Sequence, residues 1–292
     1  MNRKMIFLPI VVLALVTLAC SININLPAQV KTGPTQAEDI HVPYLSDQQA
    51  IADVTLNFGA GKLNLHPGAE NELIGGTATY NVADFKPKIT VDSNNVNIEQ
   101  GNIKITGIPY INQDILNEWD LTLGSRPMSL MIKAGAYTGT YDLGGLSIHR
   151  LEVGDGASSV NLDFSKPNLV EMVSLKYTTG ASTVTLSGLA NTNTADMSFH
   201  GGAGNYTLDF SGQLRQDMTV SVESGVSSVT IIVPKGVATD LSNDSKLVTV
   251  TSSGGWDQQG NSYLLSGSGN KLTINVKMGA GTLQLQTSLP SK

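Results

Sequence analysis

The sequence predicts an all-β chain wound as a parallel, right-handed β-solenoid, with coils of roughly 21 to 24 residues stacked into a single body. Three observations predict it. A glycine recurs seven times, at Gly59, Gly135, Gly156, Gly180, Gly202, Gly225 and Gly279, followed by Ala in six copies and by Val226 in the other. Five positions before it stand Val54, Leu130, Leu151, Leu175, Met197, Val220 and Ile274, and three before it Leu56, Ile132, Val153, Tyr177, Phe199, Val222 and Val276. Six after it stand Leu65, Tyr141, Leu162, Leu186, Leu208, Ile231 and Leu285.

Apolar residues two apart, separated by polar ones, have the period of a strand with one buried face. Each copy therefore reads as strand, corner, strand. Glycine suits a corner that needs positive φ or a close backbone approach, and the adjoining Ala is small enough to point inward there. Such a unit cannot bury its face alone, but each stacked coil adds roughly 4.8 Å to a continuous core. An antiparallel meander with a hairpin at each Gly-Ala is the alternative. The gap between the strands lacks the tight Asn-Gly or Asp-Gly turn that short hairpins prefer.

In chain order, Met1-Asn-Arg-Lys4 and the apolar run Ile6–Val16 have the form of an export signal, too short for a comfortable membrane span. The run ends in Thr17-Leu-Ala-Cys20, which resembles the bacterial lipobox. Residues 1–19 are accordingly expected as a lipoprotein signal peptide and Cys20, the chain's only cysteine, as the lipid attachment site. Residues 20–45, with Pro27, Pro34 and Pro43, read as a tether, and 46–288 as the solenoid. Its coils are irregular to about residue 128, regular over 129–240 and degenerate over 241–288. Lys88–Val91 with Val96–Ile98, and Leu247–Val250 with Tyr263–Leu265, read as degenerate copies lying between the regular ones.

Stacking sets equivalent outward residues of adjacent coils about 5 Å apart. Seven places after the corner this brings Asp142, Asp163 and Asp209 into one column, a candidate cation site of oxygen ligands. A carboxylate pair at that spacing also matches a retaining glycosidase, although a hydrated polar face accounts for the same residues. Five places after the corner runs a polar column, including Thr140, Asn161, Thr185, Thr207 and Thr230, flat enough to meet ice or a regular glycan, or ordinary for an exposed strand. Glu152 and Lys176 are expected to pair between coils, whereas Tyr80, Tyr177, Tyr206 and Phe199 fall at core positions.

His41, His66, His149 and His200 show no metal-ligand spacing, and no nucleophile elbow, phosphate loop or cysteine pair occurs, so no catalytic residue, metal or cofactor is assigned. The net charge of −6 becomes about −8 once Arg3 and Lys4 leave with the signal, which argues against a nucleic-acid partner.

Phe58-Gly-Ala-Gly61, Gly75-Gly-Thr-Ala-Thr-Tyr-Asn81, Ser187-Gly-Leu-Ala-Asn191 and Gly201-Gly-Ala-Gly-Asn-Tyr-Thr-Leu-Asp-Phe-Ser211, taken with the lipobox, resemble the bacterial toast-rack proteins. Those are similar to adhesin-type β-solenoid domains and to the extracytoplasmic part of cell-wall stress regulators. The resemblance implies stacked strands and an envelope setting and supplies no catalytic residues. The expectation is a non-catalytic protein, anchored to a bacterial membrane through Cys20, that serves as a scaffold or as an adhesin-like surface for a cell-wall glycan or envelope protein. A carbohydrate-active enzyme using the outward Asp residues and an accessory stress regulator are the alternatives.

Overall fold

The structure, a computed structural model, describes residues 32–47, 50–101 and 115–289. The signal peptide, Cys20 and the tether up to residue 31 lie outside them. Within them the chain is almost all β, in one mixed sheet. The N-terminal strands are β1 (Gln36–Pro43), β2 (Ala52–Ala69), β3 (Glu72–Tyr80), β4 (Lys88–Asp92), β5 (Asn95–Glu99) and β6 (Asn117–Gly124). The middle holds β7 (Met128–Asp142), β8 (Ile148–Asp155), β9 (Ala157–Asp163), β10 (Ser174–Ser187), β11 (Asp196–Asp209) and β12 (Met218–Pro234). The chain closes with β13 (Gly236–Asn243), β14 (Leu247–Ser252), β15 (Asp257–Gln259), β16 (Ser262–Leu265) and β17 (Gly267–Ser288).

All seven glycine copies lie in parallel register. Val54 pairs with Leu130, Leu130 with Leu151, Leu151 with Leu175, Leu175 with Met197, Met197 with Val220 and Val220 with Ile274. Beyond the corner, Leu65, Tyr141, Leu162, Leu186, Leu208, Ile231 and Leu285 form a second unbroken row. Both rows are buried in one hydrophobic cluster running along the stack. Six copies pass the corner as a single bent strand; only at Gly156 is the strand divided, into β8 and β9.

The corner is tight because backbones close on one another along the stack. A methyl group on Gly135, Gly180 or Gly202 would collide with the carbonyl oxygen of the corner glycine one rung earlier, and on Gly225 or Gly279 it would stand 2.7 or 2.8 Å from it. None of the seven corner glycines has positive φ, so close approach, rather than left-handed backbone, requires them. The neighbouring Ala does not point inward. Ala136, Ala157, Ala181 and Ala203 are exposed, because the two residues of the bend face solvent together while the apolar alternation resumes on the far side.

Both ends differ from a simple succession of coils. The Gly59 and Gly135 rungs are direct neighbours, as are the Gly225 and Gly279 rungs. The degenerate segments lie outside them: β5 and β6 flank β2, and β13 and β14 flank β17. The pairing there is partly antiparallel, in β1–β3, β3–β6, β4–β5, β13–β16 and β15–β16, so the sheet is not parallel throughout. Lys88–Val91 and Val96–Ile98 form a hairpin, not one rung, and Tyr263–Leu265 turns back on β13. The tether boundary also moves. Gln36–Pro43, assigned to the tether from its prolines, adds to β3 as β1 and buries Ile40 and Val42.

Side chains finish the corner where rungs end. Along the stack, Gly156 N–H donates to Gly135 O (3.1 Å) and Ala181 N–H to Gly156 O (2.9 Å). Gly59 has no earlier rung; its N–H donates to Gln100 Oε1 at 2.8 Å, which also accepts from Asn117 Nδ2 at 2.9 Å. The Gln100 amide thus takes the place of a corner carbonyl. At the other end Met278 N–H donates to Ser245 Oγ at 2.8 Å.

Candidate functional site

Register fixes the inward rows and leaves the outward ones free to differ, and the two outer faces meeting at the glycine corner have opposite chemistry. On the face before the corner, the row two residues ahead of the glycine carries Lys133, His200, Glu223 and Lys277, and the row four ahead carries Glu152 and Lys176. The expected Lys176–Glu152 pair forms at 3.7 Å, and His200 Nε2 lies 3.7 Å from Glu223. These pairs are solvent-exposed and are each worth under about 1 kcal/mol.

On the face after the corner, Thr138, Ser159, Thr183, Asn205, Ser228, Thr282 and Thr249 follow one another in register. Beside them runs the row Thr140, Asn161, Thr185, Thr207, Thr230, Gln284 and Thr251. The first row stays uncharged as far as Lys62 on β2, which pairs with Glu118 (3.8 Å), and the second as far as Asp120 on β6, which meets His66 from the neighbouring row (3.1 Å). Within the two rows only Thr282 and Ser228 are joined, hydroxyl to hydroxyl at 3.0 Å, and the other donors and acceptors face solvent. The result is two adjacent uncharged rows of hydroxyls and amides repeating at the strand spacing of about 4.8 Å, with Asp142, Asp163 and Asp209 along their border.

The three aspartates fall where spacing put them. Asp142 and Asp163 are register partners, Ser187 follows Asp163, and Asp209 lies on the next rung. Burial raises the Asp163 carboxyl above its ordinary value, with the charges of Asp142 and Asp209 adding to it. Two of the three have local work. Asp142 Oδ1 accepts from Gly144 N–H (2.9 Å) and Ser165 Oγ (2.7 Å), and Asp209 Oδ1 accepts from Ser211 N–H (2.9 Å), fastening the turn that leaves each strand. Among the described residues no group of three His, Cys, Asp or Glu gathers as a metal set. The histidines are dispersed: His41 meets Glu72 at 3.0 Å, while His149 lines a separate shallow groove with Arg150 and Asp53.

One polar cluster escaped the sequence. Asp155, directly before a corner glycine, turns into the bend and accepts from Tyr177 (2.8 Å), Tyr137 (3.3 Å) and the Thr179 hydroxyl, with Ser182 at 3.5 Å. Burial holds the Tyr137, Tyr141 and Tyr177 phenols well above the usual tyrosine range, and the Asp155 charge adds to each shift. Aromatic contacts lie on either side, Trp119–Phe58–Tyr137 toward one end and Tyr177–Phe199–Tyr206 toward the other. The signal was present in the inward position before each corner, where Phe58, Ala134, Asp155, Thr179, Gly201, Ser224 and Met278 share no residue type. Tyr80, Tyr177, Tyr206 and Phe199 are core residues, as their spacing required.

The family model for the N-terminal domain of toast_rack, DUF2154, matches residues 31–172 and 168–232. Among solved structures, a candidate cell adhesion protein from Clostridium sporogenes aligns with 20% identity and a TM-score of 0.48, over 87% of this chain and all of its own. A candidate lipid binding protein from Parabacteroides distasonis aligns with 9% identity and a TM-score of 0.41, over 86% and 97% of the two chains. A candidate adhesin from Bacteroides fragilis gives 10% identity, a TM-score of 0.35 and coverage of 88% and 99%. No curated protein matches.

Proposed function

The chain belongs to the toast-rack family, and from that premise we propose that it is a non-catalytic, lipid-anchored cell-envelope protein whose neutral outer face binds a glycan. The carrying observation is the pair of registered rows from Thr138 and Thr140 to Thr249 and Thr251, a flat surface of uncharged donors and acceptors. A neutral polysaccharide offers hydroxyls at regular intervals and no charge, so it meets such a surface without desolvating an unpaired ion. Two of the three aspartates at its border, Asp142 and Asp209, serve the turns, which favours a binding role over a hydrolytic one.

Anchoring rests on Thr17-Leu-Ala-Cys20: the signal is removed and Cys20 acylated, tethering the body outside a bacterial membrane. Among the described residues no helix is long and apolar enough to cross a membrane. The stack is proposed to wind right-handed through β7 to β12 in coils of roughly 21 to 24 residues, following the hand that parallel crossovers obey.

The test incubates the purified protein with cell-wall polysaccharide. Saturable retention with no release of reducing ends or unsaturated products is the expected result. New ends that vanish in Asp163→Asn would replace this reading with the enzymatic one. Metabolic labelling with a fatty-acid analogue, lost in Cys20→Ser, checks the anchor separately.

A further inference from the structure

Four strands have only one neighbour among the described residues: β1, β4, β14 and β15. Unpaired edges invite pairing, and folded chains blunt them with charge, proline or brevity. β1 carries Glu38, Asp39 and Pro43; β4 is bounded by Lys88 and Asp92; β15 is three residues long. β14, Leu-Val-Thr-Val-Thr-Ser, has none of these protections. Four of its six residues are β-branched and none is charged, and Leu247 is 74% exposed. Its inward side chains, Val248 and Val250, pack on the core but are only half-buried, so the last apolar layer of the stack is left partly open there.

We propose that the free edge of β14 pairs antiparallel with the β14 of a second copy of this chain, about a two-fold axis. The alternation admits it. Centred on Thr249, the pairing sets Thr249 opposite itself and Val248 opposite the second copy's Val250, so apolar meets apolar inside and polar residues stay outside. Ser253 N–H reaches Leu285 O at 2.9 Å on β17, so in the parallel ladder the alternate residues Val248 and Val250 turn their backbone groups to the open edge. β14 brings no charge to a two-fold interface, whereas β1 would bring two copies of the acidic pair Glu38 and Asp39 together. The axis stands perpendicular to the sheet, so the neutral rows ending in Thr249 and Thr251 continue onto the second copy as one longer surface. The pairing itself does not depend on what that surface binds.

The full chain, extracted from membranes in mild detergent, is compared by light scattering with Thr249→Lys, an exposed change that sets two ammonium groups face to face on the axis. The expected result is a dimer for the parent and, for the variant, a monomer that keeps the parent's β circular-dichroism spectrum and unfolds cooperatively. Thr249→Cys, treated in cells with a short bis-maleimide, is expected to give a dimer of this chain linked through the introduced thiol of each copy. A monomeric parent, a dimer that survives Thr249→Lys, or an introduced thiol linked instead to a different protein would each overturn the proposal.

Discussion

The faces before and after the glycine corner belong to the same rungs, share their register and bury equivalent apolar rows, yet one carries Lys133, Glu152, Lys176, Glu223 and Lys277 and the other a long uncharged run of threonine, serine, asparagine and glutamine. Packing cannot account for the difference, since the core sees neither outer face. Solubility alone would spread charge over both. The contrast locates two adjacent rows without charge, bordered on the same face by Asp142, Asp163 and Asp209.

The largest way to break the comparison is to remove the corner that both faces share. Gly180→Val would force a side chain against the Gly156 carbonyl and is expected to destabilise the fold by about 3 kcal/mol, lowering the denaturant midpoint and abolishing binding together. At the first rung, Gln100→Ala leaves the Gly59 N–H without its acceptor. Because that bond is exposed to solvent, a loss of about 0.5–1.5 kcal/mol is expected by the same titration, with the polar face intact.

The inner polar cluster sharpens the picture through pH. Tyr137 and Tyr177 hold their protons in the folded chain beyond the point, near pH 10, at which unfolded tyrosines release theirs. Their contribution is therefore complete below about pH 10 and is lost as pH rises above it. The unfolding midpoint should fall across that window, and less steeply in Tyr177→Phe; an equal slope would remove the tyrosines from the account. Smaller still is Asp163. Its folded carboxyl is raised, so the charged form opposes folding at neutral pH. Asp163→Asn should raise the melting temperature slightly at pH 7 and make no difference below about pH 4, where the unfolded carboxyl is also protonated. A destabilised Asn variant at pH 7 would show that Asp163 has a partner it needs.

The repeat was legible because glycine and its flanking apolar pairs survive every substitution around them, from Leu56 to Val276. Equivalent positions could be aligned by eye, and the rows, the Lys176–Glu152 pair and the aspartate column followed from that alignment. Spatial order at the ends did not. A segment such as Leu247–Val250 has the pattern of a rung but carries no mark of which side of β17 it will take, and β1 looked like tether because Pro43 and the preceding Pro27 and Pro34 outweighed Ile40 and Val42. The corner alanines pointed the wrong way because alternation alone does not say that two successive residues will face solvent. Asp155 was missed for the converse reason: a charge at an inward slot reads as surface until its tyrosine partners, one on each neighbouring rung, are in place.

The most direct measurement exchanges the chemistry of the two faces and reads binding to neutral cell-wall polysaccharide. With Thr183→Lys and Thr185→Lys together, affinity should fall about tenfold or more, equivalent to about 1.4 kcal/mol, while Glu152→Gln with Lys176→Gln leaves it within about twofold. Retained binding in the first variant, or loss confined to the second, would place the ligand on the charged face and contradict the account.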